Sequence, residues 1–266
     1  MASMDCHYYS ATLKNNISLN VVIPSPSGNE QIVDKAVQTR YGYESGLPVV
    51  YLLHGAYGDY SSWMRYSNVE RYAQDRCCAL VMASAGNNFY QDMYRGLAYR
   101  RFFTEELPAF ITSVFPVSKK REDTYIAGFS MGGYGAWYLA LSAPQLYSKA
   151  ASMSGALDIA ASYAQSAAGI IDNPFPWNEI FEHPEGLAGG DKDLFELYRR
   201  CQKEKTAPKL YQACGTEDFL YKMNQEAYGR MKDMGADLVY EEGPGGHNWD
   251  FWDTYIQKIL DWMLEK

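Results

Sequence analysis

A chain of 266 residues is long enough for one large α/β domain or two small ones, and 47% hydrophobic with 21% charged residues is ordinary for a folded enzyme. A net charge of −8 supplies no basic footprint for nucleic acid and mainly favours solubility. No apolar stretch approaches the length of a bilayer span, and the start MASMDCHYYSATLK has no basic segment leading into an apolar core, so a cytoplasmic protein without a signal peptide is expected.

Residues 8–23 read as a hairpin, two alternating runs around Lys14-Asn15-Asn16. Pro24 to Gly46 is polar and irregular. Strands and helices then alternate. Pro48 to Leu53 is an apolar strand running into His54-Gly55, Ser62 to Asp75 is a helix, and Cys78 to Ala83 is a strand. Tyr99 to Phe115 is a helix interrupted or bent at Pro108, which lacks a backbone N–H. Thr124 to Phe129 is a buried strand followed by a helix over Tyr134 to Leu141, and Lys149 to Met153 is another strand.

Residues 158–205, rich in Pro, Gly and aromatics, contain helical pieces but no convincing strand. Alternation resumes with strands at Lys209 to Ala213 and Asp237 to Glu241, and helices at Leu220 to Met234 and Phe251 to Leu264. The pattern is that of an α/β fold, a mostly parallel sheet with helices on both faces. We read one domain over residues 1–266, with 158–205 as a cap-like insertion over the C-terminal edge of the sheet, where such folds bind ligands. The five cysteines (Cys6, Cys77, Cys78, Cys201, Cys214) show no metal spacing and read as buried free thiols, with Cys77-Cys78 inside a strand.

Between that central strand and helix lies Gly128-Phe129-Ser130-Met131-Gly132, the Gly-x-Ser-x-Gly form of a nucleophile elbow. A serine hydroxyl needs an adjacent base, and histidine titrates near neutrality. Of the four histidines, His7 lies in the hairpin and His54 ends a strand, so only His183 and His247 follow Ser130 in the α/β-hydrolase order. His247, in GPGGHNWDFW, also follows a strand and is the candidate base. Asp218, in YQACGTEDFLY, is the candidate orienting carboxylate, with Glu217 its immediate rival. Oxyanion donors are expected from the backbone N–H of Met131 and from the loop His54-Gly55-Ala56-Tyr57-Gly58, with Ala56 first and Tyr57 next. Candidate pocket aromatics are Tyr57, Trp63, Tyr94, Trp177, Phe219 and Trp249, whereas Trp252, and Trp249 as well, can instead anchor the last helix.

The blocks LLHGAYGDYSSW, SAGNNFYQDMY, TEELPAF, YIAGFSMGGYGA, ACGTEDFLY and GGHNWDFW, in this order, resemble the esterase D family from about Tyr8 to Trp262. That family includes S-formylglutathione hydrolases, bacterial tributyrin esterases, feruloyl (cinnamoyl) esterases and the more distant mycolyltransferases. The look is closest to the tributyrin and cinnamoyl esterases. The resemblance implies an α/β-hydrolase fold with Ser130, Asp218 and His247 as a triad and Ala56 and Met131 as oxyanion donors. It implies a serine carboxylesterase for short acyl or hydroxycinnamoyl esters, with S-formylglutathione hydrolysis or acyl transfer to a sugar or lipid alcohol as alternatives and a non-catalytic binding protein last. Ala56 departs from the larger apolar residue often found after the His-Gly pair, which widens the pocket there. No metal or organic cofactor is implied. The expected partner is a small-molecule ester, possession of a homodimer is left open, and no nucleic acid or membrane is expected.

Overall fold

In the computed structural model, which describes residues 1–26, 43–170 and 175–265, eight strands form one sheet in the order β1-β2-β4-β3-β5-β6-β7-β8. The strands are β1 (Ala2–Ser10), β2 (Asn15–Ile23), β3 (Val49–Leu53), β4 (Ala79–Ala83), β5 (Thr124–Phe129), β6 (Lys149–Met153), β7 (Lys209–Gly215) and β8 (Leu238–Gly243). The first hairpin pairs antiparallel, and β2 also meets β4 antiparallel. Every other pairing is parallel. Most of the expected irregular stretch 24–46, and part of the 158–205 segment, lie outside the described residues.

The apolar runs of the sequence become strands buried on both faces. Along β3, Val49, Tyr51 and Leu53 pack into one layer and Val50 and Leu52 into the other, as the two-residue period of a strand requires. The second layer contains α1 (Ser62–Tyr66), α2 (Val69–Arg76) and, from the far end of the chain, α10 (Trp249–Leu264). The first contains α3 (Tyr99–Arg101), α4 (Leu107–Val114) and α5 (Met131–Ser142), together with α6 (Ile159–Ala167), α7 (Trp177–Ile180), α8 (Leu194–Glu204) and α9 (Tyr221–Asp233). Each fully buried Leu, Val or Phe in these layers contributes about 1.5–3 kcal/mol relative to exposure. Among the described residues, no helix is long and apolar enough to cross a membrane.

Several expectations need correction. The helix expected over Ser62 to Asp75 is two helices with a break at Ser67-Asn68, where Ser67 turns extended and its hydroxyl bonds back to Trp63 O at 2.6 Å. The bend near Pro108 is a π-helical turn over Phe102–Glu106, with Leu107 N–H bonding to Phe102 O, and the proline sits in the first turn of α4. A proline there leaves no helical N–H unsatisfied. Cys77 is not in a strand. It ends α2 in the left-handed conformation (φ 53°), and β4 begins only at Ala79. Among the described residues no cysteine is in a disulfide, but Cys6 and Cys77 are half-buried rather than buried.

The 158–205 segment also divides. Residues from α6 and around Trp177 pack on the helical layer and also line the cavity beside Ser130, whereas α8 packs on that layer without lining the cavity. It buries Leu194, Phe195, Leu197, Tyr198 and Cys201, and the Cys201 thiol reaches Leu141 O on α5 at 3.1 Å. Its apolar stripe recurs at helical spacing and is buried in that layer.

Candidate active site

The chain leaves β3 to build β4 on one side and returns to build β5 on the other. The ends of β3 and β5 therefore lie side by side where the winding direction reverses, with Leu53 paired to Gly128. Such a switch point opens a crevice beyond the strand ends. His54-Gly55 and Ser130 both enter it.

Ser130 adopts φ 57°, ψ −123°, a region that raises the energy of a non-glycine residue by about 1–3 kcal/mol. Surrounding bonds hold it there. Its N–H donates to Met153 O at 2.9 Å, and its carbonyl accepts from Gly133 and Tyr134 at 2.9 and 3.2 Å. The hydroxyl therefore stands at the N-terminus of the twelve-residue α5. The elbow closes only because its flanks lack side chains. A Cβ on Gly128 would run into the Gly132 backbone, and one on Gly132 would lie 2.5 Å from His54 O and 2.8 Å from Leu53 O. We expect Gly132→Ala to destabilise the fold by about 3 kcal/mol or more, because the obstruction is backbone that cannot rotate away. Urea unfolding checks this, and a midpoint within error of wild type would show that the elbow is looser than drawn.

Three side chains from three elements meet beside the elbow. His247, in the loop after β8, places Nε2 2.9 Å from Ser130 Oγ and Nδ1 2.9 Å from Asp218 Oδ2. A carboxylate only accepts, so Nδ1 carries the proton and Nε2 faces the serine hydroxyl with its lone pair. The Asp218 side chain is fully buried, and Leu220 N–H donates to its Oδ1 at 2.8 Å. Burial raises the Asp218 carboxyl, but the His247 hydrogen bond and charge, the Ser154 hydroxyl and the Leu220 N–H outweigh it and hold the group below the ordinary carboxylate range. Glu217 points elsewhere. It accepts from the Thr216 hydroxyl at 3.0 Å and from Gly245 N–H, bracing the loop that carries His247. Two other histidines are apart from this group: His7 pairs with Ser18 at 2.8 Å on the edge hairpin, and exposed His183 faces Glu185 at 3.4 Å.

The same geometry separates the two loop donors. Tyr57 N–H is taken by Asn87 Oδ1 at 2.8 Å, and Gly58 N–H by Gly55 O at 3.2 Å. Ala56 N–H and Met131 N–H donate to no acceptor among the described residues, and both residues line the cavity above Ser130. Met131 N–H also opens α5, where the helix dipole favours negative charge.

The cavity has a volume of about 680 Å³. Of the expected aromatics, Tyr57, Trp177, Phe219 and Trp249 line it. Phe219 lies 4.5 Å from the His247 ring. Trp63 and Tyr94 do not line it. Trp63 is 1% exposed, with Nε1–H donating to Leu53 O at 3.1 Å, and so fills the layer beneath the loop. Tyr94 is half exposed, with Arg95 over its ring and its N–H on Ile180 O at 3.0 Å. Trp252 both anchors α10 and lines the cavity, stacked on Phe129 at 4.1 Å and edge-on to His247. Sequence reasoning missed Phe89 and Phe175, whose rings meet at 4.2 Å beside Trp177, and Tyr66 and Arg65, which also line the cavity. The first two sit in the SAGNNFYQDMY block and in the aromatic-rich 158–205 segment, and the density of aromatics there was the available signal.

Known proteins share this architecture. An acetyl esterase of Caldicellulosiruptor saccharolyticus is 35% identical over 272 residues, covering 99% of this chain and 98% of its own. A substrate-bound, fluorophosphonate-binding serine hydrolase of Staphylococcus aureus superposes with a TM-score of 0.86 and 29% identity, over 100% of this chain and 99% of its own. An S-formylglutathione hydrolase of the same organism gives a TM-score of 0.83 and 29% identity, over 99% of each chain. The family model described as "Putative esterase" matches residues 10–263, so the chain, an α/β-hydrolase by its sheet, belongs to that esterase family and is a carboxylic ester hydrolase.

Proposed function

We propose that Ser130, His247 and Asp218 form the catalytic triad of a serine carboxylesterase acting on esters of short aliphatic or hydroxycinnamic acids. The observation that carries this reading is the unbroken chain of hydrogen bonds from buried Asp218 through His247 to Ser130, ending at an aromatic-walled cavity. Ser130 Oγ attacks the ester carbonyl while His247 Nε2 takes its proton. The oxyanion receives the N–H groups of Ala56 and Met131. His247 then protonates the leaving alcohol, the C–O bond breaks, and an acyl-enzyme remains. Water attacks that acyl group with His247 again as base, and the acid departs.

Two features support small or aromatic acyl groups over charged ones. The cavity wall near Ala156 is built from Phe89, Phe175 and Trp177, which suits a planar ring or a short chain. Arg65 is the sole Lys or Arg among the described lining residues, and Asp59 lines the cavity too. A tripeptide thioester bearing two carboxylates finds little net attraction there. Thioester hydrolysis stays as the second reading because of the likeness to an S-formylglutathione hydrolase.

The test is kcat/KM of the purified protein for methyl ferulate, p-nitrophenyl butyrate and S-formylglutathione, measured side by side. We expect at least one oxygen ester to exceed the thioester by about tenfold, or ~1.4 kcal/mol of transition-state binding. A thioester preferred by orders of magnitude would replace this reading with the second one.

A further inference from the structure

His54 follows β3, is 1% exposed, and stands outside the Asp218–His247–Ser130 chain. Both of its ring nitrogens are nonetheless engaged by main chain. Ala85 N–H donates to Nε2 at 2.9 Å, and Nδ1 lies 2.7 Å from Gly55 O. An N–H partner demands a lone pair at Nε2, and a carbonyl partner demands a proton at Nδ1, so together they select the neutral Nδ1–H tautomer. Burial, opposed by the Gly55 bond and the Asp59 charge, holds the imidazole below its ordinary value and keeps it in that neutral form.

The place of the Gly55 bond matters more than its existence. Gly55 C=O and Ala56 N–H are the two sides of one planar trans peptide and point in opposite directions. Whatever fixes the carbonyl fixes the N–H. The carbonyl accepts from His54 Nδ1 and, at 3.2 Å, from Gly58 N–H, while the Tyr90 hydroxyl holds the preceding carbonyl, His54 O, at 2.8 Å. This peptide abuts the nucleophile: a Cβ on Gly55 would stand 3.2 Å from Ser130 Cβ.

We infer that His54 is a positioning residue for the oxyanion, its Nδ1–H locking the Gly55–Ala56 peptide so that Ala56 N–H faces the ester oxygen. The inference rests on Ala56 as donor and Ser130 as nucleophile. A bland role competes with it, in which His54 merely tethers the end of β4 through Ala85. The two roles use different nitrogens, so two substitutions separate them. Asparagine carries an N–H near the Nδ1 position but falls short of Ala85. Glutamine carries an oxygen near the Nε2 position, accepts from Ala85, and leaves Gly55 O without a side-chain donor.

If His54 sets the oxyanion donor, His54→Gln loses about tenfold or more in kcat with little change in KM, since small misplacements at a reacting centre are expensive. His54→Asn recovers most of that loss. A trifluoromethyl ketone supplies the second readout. Ser130 Oγ bonds to its carbonyl carbon, His247 takes the proton, and the ketone oxygen becomes an oxyanion in the same hole. Its Ki should rise in parallel with the fall in kcat. Equal or better turnover of His54→Gln than of His54→Asn, or an unchanged Ki where kcat falls, overturns the inference. The wild-type protein provides a check independent of variant folding. Ring 15N NMR should show His54 protonated at Nδ1 and bare at Nε2, and a proton on Nε2 overturns the inference as well. Failure of the ketone to inhibit wild type would instead sink the Ser130 reading on which the inference stands.

Discussion

Replacing Ser130 by alanine is expected to lower kcat by about 10⁴- to 10⁶-fold, the range seen when a triad nucleophile is removed while the oxyanion donors stay in place. The reason is local. His247 Nε2 has Ser130 Oγ as its partner at 2.9 Å, and without the hydroxyl no covalent route to the acyl-enzyme exists. The residual rate then comes from the two free N–H groups and from binding alone. The fold should survive. The backbone at Ser130 is held at φ 57° by bonds of its own N–H and carbonyl, none of which uses the side chain. Thermal unfolding of the variant should therefore stay close to wild type while turnover of p-nitrophenyl butyrate vanishes into the background. Near-normal turnover by a purified, folded variant would remove Ser130 from the mechanism, and loss of fluorophosphonate labelling in the same variant would place it there.

How much of this was legible in the sequence follows from how local each constraint is. The elbow was legible because its pattern is compact: Gly128 is demanded by the Gly132 backbone that a Cβ would strike, and Gly132 by the backbone at the end of β3. The central strands were legible because burial on both faces makes them continuous apolar runs, as in Val49–Leu53. Chain order narrowed the histidines, and the motif context already favoured Asp218 over Glu217, but not the way each side chain points. Both follow β7, and only the turn beyond it decides that Asp218 points inward while Glu217 reaches Gly245. The pocket was least legible. Trp63 is a pocket candidate by residue type alone, yet the short α1 buries it beneath the loop with its Nε1–H on Leu53 O. Phe89 sits at φ 54° in a loop with no periodicity, so no pattern could assign its facing. The 158–205 segment reads as one cap because its sequence shows no strand, and α8 shows that a crossover helix and a cap can share one connection.

Asp218→Asn is expected to reduce kcat by about 10⁴-fold near neutral pH, through a tautomer and not through a lost contact. The orientation of the new amide is fixed by its surroundings. Leu220 N–H donates to Oδ1 at 2.8 Å and needs an acceptor there, so the amide oxygen occupies that position. The amide nitrogen then takes the place of Oδ2, the nearer of the two oxygens to His247 Nδ1 at 2.9 Å against 3.1 Å for Oδ1, and presents an N–H to it. His247 answers by accepting at Nδ1, which moves its own proton to Nε2. Ser130 Oγ now faces a donor where it needs a base. The buried negative charge that would steady the imidazolium is also gone, in a site where the carboxylate side chain has no exposure to water. KM should change little, because Asp218 does not line the cavity. The matched control is Glu217→Gln, which keeps an acceptor for Gly245 N–H and should alter kcat by no more than about threefold. Steady-state kinetics on the pair decides between the two acids. A large loss in Glu217→Gln with a mild one in Asp218→Asn would exchange their roles, whereas the expected order ties the rate to the one carboxylate that dictates which nitrogen of His247 carries the proton.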